Sequence, residues 1–163
     1  MSRSGSISWR SPSNIALVKY WGKKSIQLPV NPSISMTLEK CFTETSIKYS
    51  SIKDKKELTF DFYFEEIVKT TFEKKIEKFL ANASELFPEL KSLHLVINSS
   101  NSFPHSAGIA SSASAFSALA LCICDIHREL EKTKISDKRF YEQTSFLSRL
   151  GSGSACRSIY GGF

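Results

Sequence analysis

The chain has 163 residues, 41% hydrophobic and 23% charged. That balance suits one ordinary domain with a core and excludes a disordered chain. A net charge of +6 leans towards anionic partners. The basic residues are nevertheless mixed with acids, as in KDKK (53–56) and EKKIEK (73–78), and no basic arm carries interleaved aromatics, so a nucleic acid partner is not expected.

In chain order, residues 1–10 lead into a strand at Ile7–Arg10. Pro12 and Gly22 punctuate SPSNIALVKYWGKK, and LPVNPSISMTL ends in a strand over Ser33–Leu38. TETSIKYS (43–50) and ELTFDFYF (57–64) both alternate and read as a hairpin around KDKK. From Glu66 to Phe87 the period changes. Val68, Phe72, Ile76, Phe79, Leu80, Ala83 and Phe87 fall at helical spacing, and Pro88 marks the end. His94–Ile97 is a short strand, and Ser111–Arg128 fits a buried helix. Ser136 is an N-cap for a helix to about Leu150. GSGSACRS then interrupts, and IYGGF begins a further strand. The order is that of an α+β chain. No apolar run reaches the roughly 18 residues a membrane span needs, and no signal peptide precedes the first motif, so a cytoplasmic protein without a membrane partner is expected.

Three stretches suit anions. FPHSAGIASSASAF (103–116) joins a strand to a helix through very small residues. A backbone that bare lets phosphate oxygens reach its N–H groups, the helix N-terminus adds a positive dipole end, and Ser111 and Ser112 offer hydroxyls to a phosphate or to Mg²⁺. The same residues also suit close helix packing. KYWGKK (19–24) sets three lysines and a tyrosine around one glycine, which suits a diphosphate and equally a strand end with solvated lysines. GSGSACRS (151–158) holds two glycines, three serines and Arg157, which can grip a carboxylate or phosphate through two nitrogens; an ordinary interhelical loop would look similar.

Cys41, Cys122, Cys124 and Cys156 form neither a disulfide framework nor a zinc pattern, and Cys122 and Cys124 read as core thiols. His94, His105 and His127 share no metal-ligand spacing. Asp54, Asp61, Asp125 and Asp137 lie outside all three motifs, so no catalytic carboxylate stands out.

Together NIALVKYWGKK, LPVNPSISMTL, FPHSAGIASSAS and RLGSGSACRSIYGGF resemble the mevalonate diphosphate decarboxylases of the GHMP kinase superfamily. GIASSAS is similar to that superfamily's glycine-poor ATP phosphate loop, whereas KYWGK with GSGSACRS argues for the decarboxylase over a small-molecule kinase such as a phosphomevalonate kinase. An inactive anion-binding module that keeps these segments is the non-enzyme alternative. The resemblance covers Ser11 to Phe163 and implies a GHMP N-terminal domain with a ribosomal-protein-type βαββ two-layer sandwich. It implies use of ATP and Mg²⁺ to phosphorylate the tertiary hydroxyl of mevalonate 5-diphosphate, followed by loss of phosphate and CO₂ to give isopentenyl diphosphate. By motif it implies that Tyr20, Lys23 and Ser152 contact the substrate diphosphate and that Lys19 sits at the reacting end. It places Ser154 and Arg157 on the substrate carboxylate, with Asn14 orienting Arg157. Pro104, Ala107, Gly108, Ala110, Ser111 and Ser112 would bind ATP, the last two also the metal. The sequence departs from the family pattern at His105-Ser106, often Thr-Ala, and at Pro32, often serine. The resemblance further implies a longer chain, whose C-terminal half carries the catalytic aspartate, and a homodimer.

Overall fold

The computed structural model describes residues 3–19, 21–24, 28–52, 57–68, 70–104, 108–132, 134–160 and 162, apart from the side chains of Lys23, Leu28, Val68, Thr70 and Thr71. Strands β1 (Ser4–Val18) and β4 (Ile34–Ser51) pair antiparallel along most of their length. Between them, β2 (Lys23–Lys24) and β3 (Leu28–Pro29) form a small separate hairpin. β5 (Thr59–Phe64) and β6 (Ile67–Val68) precede helix α1 (Thr70–Leu86). A 3-10 turn over Pro88–Ser92 leads into β7 (Leu93–Asn101), and α2 (Ser111–Glu131), α3 (Asp137–Gly151) and the short α4 (Arg157–Tyr160) follow. The main sheet has the order β1-β4-β7-β5-β6. β5 runs parallel to β7 and the other neighbours are antiparallel.

Side chains alternate across a strand, so register decides what each face carries. Ile7, Ile47, Ile97 and Phe62 stand opposite one another across four strands, and all are buried. The flanking row holds Tyr49, Leu95 and Phe60. α2 packs on β1 and β4 along this face and on α3 behind it. Its residues from Phe116 to Cys124 are buried without interruption, as befits a helix covered on both sides. The other sheet face carries Ser46, Lys48 and Asn98. The result is α+β, as the element order predicted, and a two-layer sandwich, as the resemblance implied. Towards one end of the sheet the inward rows change character, from Ile7–Ile47–Ile97 to Trp9–Thr45–Ser99 and then to Ser11–Thr43–Asn101.

Four local expectations need correction. The β4–β5 hairpin does not form, because β7 lies between the two strands; Ile97 pairs with Ile47 on one side and Phe62 on the other. KDKK lies outside the described residues. Pro12 does not interrupt β1. It sits at a bulge in an edge strand, where a missing N–H is tolerated. The helical period from Glu66 overshoots: Glu65 and Glu66 adopt positive φ, Ile67–Val68 is a strand, and the helix starts at Thr70. Ile159 and Tyr160 belong to α4 and not to a strand, since Arg157 N and Ser158 N bond back to the carbonyls of Ser154 and Ala155. The N-cap at Ser136 does form, its hydroxyl accepting from Arg139 N at 3.4 Å.

Cys122 and Cys124 are buried in α2. Burial pushes the Cys122 thiol up from 9.0 to about 12 and that of Cys124 to about 11. The folded state thus holds these protons more tightly than the unfolded chain does. Their contribution to stability is complete below about pH 9 and is lost as pH rises through the folded values. A thiol reagent near pH 8 is expected to modify the half-buried Cys41 and Cys156 in the native protein, and Cys122 and Cys124 only after denaturation. Equal native reactivity of all four would contradict the packing of α2.

Candidate functional site

The turn before α2 is bent by its backbone. Gly108 has φ +76°, where a side chain would be strained although space is free around it. Ala110, the N-cap residue, is also left-handed at φ 53° and offers no side-chain cap, and the first turn of α2 holds no acidic residue. The helix start therefore keeps its positive end and its N–H donors free of a competing side-chain anion, which suits a phosphate. Ser111 is half-buried there and Ser112 exposed, while Pro104 is exposed where the chain leaves β7. Ala107 and His105 lie outside the described residues.

Four sequence-distant segments meet at this end of the sheet. Ser112 Oγ lies 3.5 Å from Ser152 Oγ, joining the α2 turn to the loop after α3. Ser13 Oγ donates to the carbonyl of Ile109, joining β1 to the same turn. Arg157 donates through Nη1 to Ser35 Oγ at 3.0 Å and through Nη2 to Ser33 Oγ, so two serines at the start of β4 hold its fork. Asn14, expected beside Arg157, bonds the next residue: its Nδ2 donates to Ser158 Oγ at 2.7 Å. Ser11 Oγ lies 2.6 Å from Ser117 Oγ of α2 and 3.0 Å from the carbonyl of Ser158. Ser11, Asn14, Ser117 and Ser158 are all buried. Ser154 is half-buried and its carbonyl accepts from Arg157 N at 3.2 Å.

The KYWGKK segment is described in part. Lys19 is exposed; Tyr20 and the side chain of Lys23 lie outside the described residues. Asn31 ties this segment down. Its Oδ1 accepts from Trp21 N at 2.7 Å, and its Nδ2 donates to the carbonyls of Lys19 and Pro32. Asn31, Ser33 and Ser35 were not singled out in the sequence, although all three lie in VNPSISM. Their signal is an Asx-type turn followed by alternating serines.

A cavity of about 320 Å³ opens beside the start of α2. Phe62, Phe64, Phe72 and Phe116 give it aromatic walls, and Ser99, Asn101, Ser111 and Ser112 add polar atoms. It was not foreseeable from the sequence, because reading ELTFDFYF as half of a hairpin moved Phe62 and Phe64 away from the small-residue turn. Among the described residues no carboxylate lines it. Asp125 is engaged by Trp9 Nε1 and Arg128 far along α2, and Asp61 pairs with His94. Among the described residues no three His, Cys, Asp or Glu side chains cluster as metal ligands. No described helix is long and apolar enough to cross a membrane.

Replacing Ser158 by alanine should leave the buried Asn14 amide short of an acceptor, at a cost of about 1–3 kcal/mol in urea unfolding. Removing both partners, Asn14→Leu with Ser158→Ala, should cost less than Ser158→Ala and Asn14→Leu measured separately and summed. Strict additivity would show that the pair is not coupled.

The geometry agrees with what comparison finds. The diphosphomevalonate decarboxylase-like N-terminal domain family matches residues 11–163. Diphosphomevalonate decarboxylase mvd1 of Aspergillus fumigatus is 37% identical over 165 residues, which cover 94% of this chain and 39% of that protein. The crystal structure of mevalonate diphosphate decarboxylase from Staphylococcus aureus superposes with a TM-score of 0.75 at 38% identity, covering 99% of this chain and 45% of that one. The structure of MDDEF in complex with MVAPP, AMPPCP and magnesium superposes with a TM-score of 0.77 at 34% identity, covering 99% and 46%. The chain spans less than half the length of these relatives. Their shared sequence and fold over nearly all of this chain show that it belongs to the diphosphomevalonate decarboxylase-like N-terminal domain family.

Proposed function

We propose that this chain is the ATP- and substrate-binding part of an enzyme that decarboxylates mevalonate 5-diphosphate to isopentenyl diphosphate. The observation that carries the proposal is the meeting of an uncapped α2 N-terminus, the Ser152 loop and the clamped Arg157 at one end of the sheet. A relative solved with MVAPP, AMPPCP and magnesium supports the same ligand classes here. The turn at Gly108–Ser112 takes the nucleotide phosphates on backbone N–H groups and the two serine hydroxyls, and the aromatic cavity beside it takes the base. Ser111 and Ser112 are the donors that fit Mg²⁺, which keeps most of its shell as water and phosphate oxygen and so needs few protein ligands. When bound, that ion neutralises charge developing on the transferred phosphoryl group.

Arg157 is suited to the substrate carboxylate. Ser33 and Ser35 fix its plane, so the fork is oriented before substrate arrives, and Ser154, three residues earlier in the same loop, shares the carboxylate in this reading. Lys19, Tyr20 and Lys23, with Ser152, form the diphosphate end of this reading. Phosphoryl transfer to the tertiary hydroxyl must also move that proton to a base. Among the described residues no acid lines the cavity, and the family resemblance assigns this role to an aspartate in the C-terminal half of the longer enzymes. A cytoplasmic homodimer is part of the same reading and rests on that resemblance.

Calorimetric titration of the chain tests the division of labour. Arg157→Ala should weaken mevalonate diphosphate roughly tenfold to a hundredfold, the loss of one or two charge-assisted bonds, and leave Mg·ATP nearly unchanged. Ser111→Ala with Ser112→Ala should do the reverse. The 163-residue polypeptide should release no CO₂ from carboxyl-labelled mevalonate diphosphate. Equal effects of both variants on both ligands, or CO₂ release above a no-protein control, would contradict these roles.

A further inference from the structure

We propose that Gly151 and Phe116 together set the depth of the aromatic cavity, and so the size of nucleotide base that it accepts. This rests on the reading of that cavity as the base site. Gly151 is the last residue of α3, and its φ is not in the left-handed region, so its backbone does not call for glycine. Its lack of a side chain has a steric reason. A Cβ at Gly151 would lie 2.1 Å from Cδ1, 2.4 Å from Cγ and 2.8 Å from Cε1 of Phe116. Such approaches force the ring to move.

The direction of that movement is limited. Phe116 is buried, and its ring packs against the ring of Phe79, with centroids 5.3 Å apart and planes tilted by 50°. Phe79 is itself fully buried. The open volume next to Phe116 is the cavity it lines. A methyl group at Gly151 therefore drives the ring towards the space a base would occupy. Ser152, the next residue, lies 3.5 Å from Ser112 at the phosphate-facing end of α2. The close approach at Gly151 thus lets the loop reach Ser112 while the wall of the cavity stays back. A side chain at Gly151 to which the ring yields, with the loop held in place, is felt by the base and little by the phosphates.

The test compares Mg·ATP with inorganic tripolyphosphate, which carries the charge without a base. Binding constants and thermal unfolding are measured for the wild-type chain, Gly151→Ala, Phe116→Leu and the double variant. Gly151→Ala should weaken Mg·ATP by about tenfold or more, the usual effect of a methyl-sized misfit in an apolar pocket, and change tripolyphosphate little. Phe116→Leu in that background should restore most of the ATP affinity. Phe116→Leu alone should bind a benzyl-enlarged adenine nucleotide better than the wild type does; this arm decides the matter if Gly151→Ala fails to fold. The proposal is overturned if Gly151→Ala leaves ATP unchanged or weakens both ligands equally, if the double variant does not recover, or if Phe116→Leu keeps the wild-type preference for base size. Wild-type protein that binds tripolyphosphate but gains nothing from the base removes the base-site reading itself, and wild-type protein that binds neither ligand removes the whole functional reading.

Discussion

A buried hydroxyl or amide must be paired, because an unmet hydrogen bond in the interior is not repaid by water. At the end of this sheet where α2 begins, that requirement organises the molecule. Ser11, Asn14, Ser117 and Ser158 come from β1, α2 and α4, and each satisfies another. Thr43 and Ser114 join β4 to α2 at 2.7 Å, and Thr43 also bonds Asn101 of β7. Among the described residues, Ser84 Oγ in α1 is the one buried side-chain polar atom left without a partner. Apolar contacts would hold these elements together in several near-equivalent packings. Paired hydroxyls at fixed separations select one of them, which a site assembled from distant segments needs.

The apolar part of the core does different work. The row through Ile7, Ile47, Ile97 and Phe62 fixes register across four strands, since a one-residue slip would turn it to the opposite face. α2 then lies over it with an almost wholly buried middle. The helix is anchored at its far end, where Trp9 bonds Asp125 and Tyr49 bonds Glu129. Burial, reinforced by Glu129, pushes the Tyr49 hydroxyl up to about 12, so it stays protonated and donating. Its other end is left uncapped. Packing therefore supplies a rigid rod, and the proposed anion site lies at its uncapped end.

Much of the layout was legible in the sequence because it depends on local rules. The helical period of Phe72, Ile76 and Phe79, the cap at Ser136 and the small residues before α2 are signals carried within a few positions. The strand order was not legible. Whether TETSIKYS pairs with ELTFDFYF or with LHLVINSSN depends on which pairing buries more surface, a long-range competition that β7 wins by serving both neighbours. The site divides in the same way. GSGSACRS and GIASSAS drew attention through composition, and the family resemblance gave them roles. The serines that hold Arg157, the Ser11–Ser117 contact and the phenylalanine walls are visible only once distant segments are brought together. Asn14 is a case in point: the resemblance gives it a role beside Arg157, and only the fold shows that its Nδ2 also donates to Ser158, the next residue.

The proposed ligand site at the tip of α2 combines the 108–114 turn, the 151–158 loop and the β5 phenylalanines. Titrating Mg·ATP into isotope-labelled chain and following backbone amides by NMR tests it directly. The account predicts that amides of Gly108–Ser114, of the 151–158 loop and of Phe62–Phe64 shift together along one binding curve, while His94 and Asp61 on the outer sheet face stay in place. Shifts confined to Lys74 and Lys78 of α1, which do not line the cavity, or segments responding along separate curves, would contradict it.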